Sequence, residues 1–267
     1  MDSLQLSLLL FVGVGAFAGV LAGLFGVGGG AIIVPILIFI FTLQGFDAGL
    51  LVHLAIGTSF ATIVVTSCGS VAAHHRLGNI NWPVVKSMTP GLIVGVLFGS
   101  ALAAELEGRY LQLAIAVFLI LVALQMFFAV QPKAVFGLPR RSLLASSGIV
   151  VGAVSAFFGI GGGSLTVPFL LACKQIMKRA VATSAACGLP IALFGALAYS
   201  YKGFMISGLP SFTTGYIYWP AFIGIAIASV PCTYIGAILA ERASEKILRQ
   251  SFALLLFFIG WQLLLTR

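Results

Sequence analysis

The chain is a succession of apolar runs separated by short polar turns. Most runs stay apolar for about 20 residues without the alternation over about 10 residues that marks a barrel strand. This pattern predicts an all-α integral membrane protein with ten hydrophobic segments. The segments cover roughly 4–25, 31–44, 50–74, 83–104, 110–130, 143–158, 164–173, 180–201, 217–240 and 247–265.

Composition strengthens this interpretation. The chain is 61% hydrophobic and 7% charged, with a mean hydropathy of +1.17, whereas a soluble domain has about 25% charged residues. A water-facing surface cannot be built from so few charges, so the expected surroundings are a lipid bilayer. The four cysteines show no C-x-x-C spacing and are expected to be apolar fillers.

An internal duplication organises the segments. The stretch GLFGVGGGAIIVP at 23–35 is matched by AFFGIGGGSLTVP at 156–168, and Trp82-Pro83 is matched by Trp219-Pro220. The order of such pairs predicts two homologous halves, 1–130 and 131–267, with five membrane segments each. Because five is odd, the second half should enter the membrane from the opposite side. The sequence therefore predicts two inverted-topology repeats.

The distribution of positive charge provides an independent test of this topology. If every segment crosses the membrane, eleven basic residues fall on one face and three on the other. By the positive-inside rule the first face is cytoplasmic, which predicts a multi-pass protein of the cell membrane with both termini outside. Basic residues so placed indicate topology and no nucleic-acid partner. The first face holds Arg76, Lys86, Lys133, Arg140, Arg141, Lys174, Lys178, Arg179, Arg242, Lys246 and Arg249; the second holds Arg109, Lys202 and Arg267.

The glycine-rich stretches could form a dinucleotide-binding turn, because Gly26-x-Gly28-x-x-Ala31 is followed by Asp47. However, no strand pattern precedes the glycines. The second copy also has Lys178 and Arg179 where the ribose-binding acid would stand. The dinucleotide interpretation is therefore rejected.

The prolines after the glycines suggest broken helices. Proline is tolerated in the first turn of a helix, so helices are expected to begin near Pro35 and Pro168. They would cover 35–44 and 168–177, about 15 Å each, although full tilted spans remain an alternative. Helix starts near the midplane would offer free N–H groups to an anion, unless the glycines only allow close helix packing. The predicted binding glycines are Gly28, Gly29, Gly30, Gly161, Gly162 and Gly163.

The doubled G-x-G-G-G-x-x-x-V-P motif, the Thr-Ser pair that follows each copy and the overall length resemble the TauE/SafE sulfite exporter family. The resemblance covers nearly the whole chain. It implies a membrane permease for sulfur-containing anions such as sulfite and sulfonates. The anion follows independently from the predicted helix starts, whereas the sulfur follows only from the resemblance.

Hydroxyl groups are further candidates for the site. Thr58, Ser59, Thr183 and Ser184 could donate to a bound oxyanion or bond back to their own helices. Ser164 and Thr166 follow the second glycine stretch where the first has Ala31 and Ile33, so a contact there would be asymmetric. No carboxylate falls deep in a segment, and no metal, cofactor or catalytic group is expected.

These observations predict a permease that exports sulfite or an organosulfonate by alternating access. Its expected partners are a small anionic substrate and the lipid bilayer, while the oligomeric state stays open. One alternative is a passive anion channel. Another is an intramembrane enzyme that pairs Ser164 with a histidine, although all three histidines map to membrane faces.

Overall fold

The computed structural model describes residues 3–25, 30–128, 137, 139–242 and 245–265. These residues form ten helices and one short β hairpin. The helices are α1 (Ser3–Phe25), α2 (Gly30–Leu43), α3 (Leu51–Arg76), α4 (Trp82–Ala104), α5 (Gly108–Phe127), α6 (Arg141–Phe158), α7 (Gly163–Ala172), α8 (Met177–Gly203), α9 (Trp219–Arg242) and α10 (Glu245–Leu265). The strands β1 (Thr213–Thr214) and β2 (Ile217–Tyr218) pair antiparallel between α8 and α9.

Each predicted apolar segment coincides with one helix, with ends shifted by a few residues. Five described helices are long and apolar enough to cross a membrane: α3 to α6 and the part of α8 from Lys178 to Gly203. Apolar stretches of 10–17 residues occur in the other five helices. The helical content and the apolar helices support the all-α membrane protein that the sequence predicts.

The predicted starts of α2 and α7 were wrong by five residues. The helices begin at Gly30 and Gly163, so Pro35 and Pro168 each occupy the sixth helical position. A proline there removes only one intrahelical hydrogen bond, because the first four N–H groups have no partner within the helix. The helix can therefore start ahead of the proline. With 14 and 10 residues, α2 and α7 are about 21 and 15 Å long, less than a straight crossing needs.

Glycines allow α4 and α6 to pack in very close contact. A Cβ on Gly91 or Gly95 of α4 would collide with the backbone of Ala145 or Ile149 of α6. Such small-residue interfaces are typical of membrane helices, because they let two backbones approach closely. Residue numbers rise together along this contact, so α4 and α6 run parallel.

The pair α1 and α9 repeats this arrangement. A Cβ on Gly15 would meet Ile225, and one on Gly19 would meet Ser229. These two helices therefore also run parallel. In the predicted duplication, α1 corresponds to α6 and α4 corresponds to α9. The first helix of each half thus packs on the fourth helix of the other half.

Two further helix pairs join corresponding helices of the two predicted halves. In α3 and α8, Gly188 lies near Ser67 while Gly195 lies against Phe60. In α5 and α10, Gln112 Nε2 donates to Leu263 O at 3.1 Å, and a Cβ on Gly260 would lie 3.0 Å from Ala116 O. Residue numbers fall in one helix as they rise in its partner, so both pairs are antiparallel. Many of the buried side chains belong to α2, α3 and α8, which places the core around these helices.

Candidate functional site

The start of α2 meets the second glycine-rich turn inside the molecule. A Cβ on Gly30, the first residue of α2, would lie 2.7 Å from Gly159 O and 3.0 Å from Ile160 Cα. Ile63 of α3 lies between the start of α2 and this turn, because its side chain is next to both Gly30 and Gly161. The start of α2 is thus brought against the turn that precedes α7. The predicted site residues Gly28 and Gly29 lie outside the described residues.

The second turn reverses the chain by means of two glycines with positive φ. Gly159, at +63°, ends α6, and Gly162, at +77°, caps the start of α7. Ser155 O accepts the N–H of Ile160, and Gly162 O accepts the N–H of Thr166. Residues that carry a side chain rarely adopt this left-handed backbone conformation, so glycine is required at both positions. The turn leaves the first N–H groups of α7 without an intrahelical acceptor.

Four hydroxyl groups of the second half surround this turn or face it from α8, and none has a hydrogen-bond partner among the described residues. A methyl group on Gly162 would lie 3.4 Å from Thr166 Oγ1 and 3.7 Å from Ser155 Oγ, so both oxygens face the same point. Buried hydroxyls normally find a partner, and a group of unpartnered ones is typical of a binding site. The four are Ser155, Ser164, Thr166 and Ser184.

Ser184 reaches this region from α8. It lies one helical turn before Gly188, and a Cβ on Gly188 would collide with the carbonyl oxygen of Gly161. Residues four apart lie on the same helix face, so Ser184 and Gly188 are on one face of α8. Ser155, Thr166 and Ser184 are all fully buried, which makes their unmade hydrogen bonds costly in the absence of a ligand.

Thr58 and Thr183 link the two halves. Thr58 Oγ1 accepts the backbone N–H of Tyr218 at 3.0 Å, and Thr183 Oγ1 accepts that of Asn81, also at 3.0 Å. Tyr218 and Asn81 each precede the Trp-Pro pair of the opposite half. The two threonines thus make equivalent bonds across the molecule. Neither bond is predicted by the sequence, which suggests only donation to an oxyanion or a bond back to the same helix. A hydroxyl that accepts a hydrogen bond can still donate one through its own proton. Contact of these two threonines with a substrate therefore stays a prediction.

The paired serines are used differently. Ser59 Oγ donates to Gly159 O at 2.9 Å, so it holds the second glycine turn against α3. Its counterpart Ser184 is one of the unpartnered hydroxyls. The residue that corresponds to Gly159 in the first half is Gly26, which lies outside the described residues. Their predicted role in substrate binding stays a prediction for both serines.

The polarity of the site comes from neutral donors. The stretch 156–168 contains no charged residue, so an anion there would meet hydroxyls and the positive end of the α7 dipole. The described residues contain no group of three or more metal-binding side chains. Ser164 Oγ has no partner there, whereas the His53 ring nitrogens face Gly49 O and Ala103 O. Among the described residues, Ser164 and His53 are therefore not paired.

Sequence reasoning missed Ser155. It precedes the glycine motif on α6 and stands where the first half has Ala22. A single hydroxyl in an apolar helix is usually bonded to its own backbone, so its sequence position carried no signal. The difference between the two copies at this position, read together with Ser164 and Thr166, was the available indication.

Comparison with known proteins places this architecture in a family. The family model described as sulfite exporter TauE/SafE matches residues 11–263. A Haemophilus influenzae protein named probable membrane transporter protein is 35% identical, with 95% of this chain and 96% of that protein covered. A Methanocaldococcus jannaschii protein of the same description is 32% identical over 96% and 95% of the two chains. No solved structure matches this chain significantly. The chain therefore belongs to the TauE/SafE sulfite exporter family, in which these named relatives are described as membrane transporters.

Proposed function

We propose that the protein carries a small sulfur-containing anion, sulfite or an organosulfonate, across the cell membrane. The observation that carries this proposal is the start of α7, where a glycine turn and buried hydroxyls without partners face one point. Neutral N–H and O–H donors at a helix start suit an oxyanion, because they accommodate its negative charge without a buried cation. The family description supports sulfur as the central atom.

The proposed mechanism is alternating access between two inverted repeats, 1–130 and 131–267. The packing supports the inverted relation of the two repeats, because α3 and α5 each run antiparallel to their counterparts α8 and α10. The parallel pairs α1–α9 and α4–α6 exchange the first and fourth helices of the halves, as a two-fold axis in the membrane plane requires. We propose that access to the site alternates about the meeting point of Gly30 and Gly159.

The proposed orientation has both termini outside the cell. Lys202, which the charge count places on the outer face, lies with its Nζ 3.3 Å from Glu105 Oε1, and the two residues stand at the ends of α8 and α4. The positive-inside rule supports the choice of side. Independently of the orientation, an anion gains about 2.3 kcal/mol per unit charge per 100 mV on leaving a negative interior. This driving force favours export.

Anion binding to the purified protein tests the proposal. Calorimetry or thermal shift with sulfite, sulfate, thiosulfate, taurine and sulfoacetate would identify the ligand, with sulfite handled under anaerobic conditions. Gly162→Val should abolish binding, because the valine needs φ +77° and its Cβ would meet Thr166 Oγ1 and Ile191 Cδ1. Gly45→Val is the matched control, since Gly45 has nearly the same φ, +74°, and a Cβ there has no atom within 4 Å. Gel filtration checks folding.

Flux measurements separate the carrier from the alternative of a passive channel. In proteoliposomes, a carrier gives a rate that saturates with anion concentration and that is accelerated by anion on the opposite side. A channel gives flux that rises with concentration and lacks this acceleration. If none of the five anions binds, or if the folded Gly162→Val protein binds as well as wild type, the anion proposal is wrong.

A further inference from the structure

The two halves differ at the positions that could hold an anion. In the second half, Ser164 and Thr166 follow the glycine turn, whereas the corresponding residues of the first half are Ala31 and Ile33. Ile33 is buried, so the first half offers an apolar side chain where the second offers a hydroxyl. The fold repeats, but the donors do not.

The serine on the third helix of each half follows the same division. The hydroxyl of Ser59 already donates a hydrogen bond to Gly159 O, and that bond fixes the turn itself. Ser184 is buried and its hydroxyl has no hydrogen-bond partner among the described residues. Ser155 on α6 adds another unused donor, and its counterpart in the sequence is Ala22. Each unpartnered hydroxyl of the second half therefore corresponds to a residue without a hydroxyl or with one in use.

We propose that the anion is bound asymmetrically, by side-chain donors of the second half, although the fold is duplicated. The inference rests on the proposed anion site and assigns its ligands. The head group is held by hydroxyls and by the first N–H groups of α7, while the start of α2 contributes shape and no side-chain donor. The hydroxyl ligands are Ser155, Ser164, Thr166 and Ser184.

This arrangement has a thermodynamic signature that a structural hydroxyl lacks. A buried hydroxyl without a partner destabilises the empty protein, and the apolar group of the same shape removes that cost. Thr166→Val should therefore leave the unfolding temperature of the ligand-free protein unchanged or higher. The same variant should lose the increase in unfolding temperature that an anion produces in wild type.

The test compares matched variants of the full chain in detergent with sulfite and with sulfoacetate as separate probes. Thr166→Val and Ser184→Ala should each raise Kd about tenfold or more, as the loss of a hydrogen bond to a charged group implies. Thr166→Ser keeps the hydroxyl and should bind within about threefold of wild type. Ser67→Ala removes a buried hydroxyl of α3 that lies 3.8 Å from a Cβ placed on Gly188, and it should change Kd by less than about threefold.

The outcomes separate this inference from the proposed function. If wild type binds sulfite or sulfoacetate and Thr166→Val binds it equally well, the asymmetric assignment is wrong while the anion site stands. If Ser67→Ala weakens binding as much as Ser184→Ala, both halves hold the anion and the assignment is wrong again. If neither probe binds to wild type, the proposed anion site fails and the inference fails with it.

Discussion

The connection between α3 and α4 and the connection between α8 and α9 occupy equivalent places in the two halves, but they are built differently. The first is the short segment 77–81, whereas the second, 204–218, includes the β hairpin. Both end in a backbone N–H that a threonine of the other half accepts, at Asn81 and at Tyr218. The duplicated bond is therefore kept although the chain around it has changed.

The surroundings of these two bonds also differ in polarity. Tyr218 belongs to an aromatic cluster with Phe11, Phe41 and Phe46, whose ring centroids lie 5.0–6.4 Å apart. Asn81, in contrast, caps α4 and contacts the side chain of Gln175. Aromatic rings therefore surround the bond at Tyr218, whereas polar side chains surround the bond at Asn81.

The largest difference is expected when the side chain before each Trp-Pro pair is removed. Tyr218→Ala should lower the free energy of unfolding by about 3–5 kcal/mol, because it leaves a cavity among buried rings. Asn81→Ala should lower it by about 1 kcal/mol, the usual effect of losing a helix N-cap. Chemical unfolding in mixed detergent micelles measures both values. Equal losses would mean that the aromatic cluster does not stabilise the hairpin end more than the cap stabilises the other end.

The glycines of the two connections provide a second contrast. Gly215 and Gly78 both have positive φ, at +56° and +67°, but only Gly215 packs against backbone, at Ser200. Gly78→Ala should cost about 1–2 kcal/mol from the left-handed conformation alone. Gly215→Ala should cost about 1–3 kcal/mol more, because the hairpin must move away from α8. The same unfolding assay tests this, and similar values for the two variants would contradict the tight packing of the hairpin.

The two threonine bonds should be equal, despite their different surroundings. Thr58→Val and Thr183→Val each leave one backbone N–H without its acceptor, and both threonines are buried. Each variant should lose about 1–3 kcal/mol of stability, and the two losses should be of similar size. A double variant should give the sum. A loss confined to Thr58→Val would show that only the hairpin end depends on its threonine.

The smallest effect is expected for the ion pair near the hairpin. Lys202 and Glu105 lie 3.3 Å apart, but both are substantially exposed to solvent, at 37% and 74%. Exposed pairs contribute about 0.2–1 kcal/mol, so Lys202→Met should change stability at the low end of that range. The effect should vanish in high salt, because ions screen exposed charges. Stability measured at low and high salt checks this, and a large loss that persists in salt would contradict it.

Much of the architecture followed from the sequence because it depends on local and repeating features. Continuous apolar runs predict helices, since a segment in lipid must satisfy its own backbone hydrogen bonds. The predicted starts of α2 and α7 are wrong, because the prediction places Pro35 and Pro168 in the first turn of each helix. A proline at the sixth position is compatible with a helix that begins earlier, and the side chains alone do not distinguish the two cases.

The candidate site was only partly predictable. The glycines, Ser164, Thr166 and Ser184 stood out because of the duplicated motif, whereas Ser155 lies outside it. The roles of Thr58 and Ser59 were also beyond reach, because their partners Tyr218 and Gly159 are 160 and 100 residues away in the chain. Sequence spacing does not identify hydrogen bonds between such distant segments. It therefore could not decide between these bonds and hydrogen bonds from each hydroxyl to its own helix.

The sequence by itself determined that this is a helical membrane protein with a duplicated pattern, because hydropathy and repetition are properties of residue order. Only the tertiary structure decided which hydroxyls hold the two halves together and which remain without a partner around Gly162. That division depends on which backbone groups come within hydrogen-bonding distance of each oxygen. Such distances arise from the packing of α3, α7 and α8, and identical Thr-Ser pairs can therefore acquire different roles in the two halves.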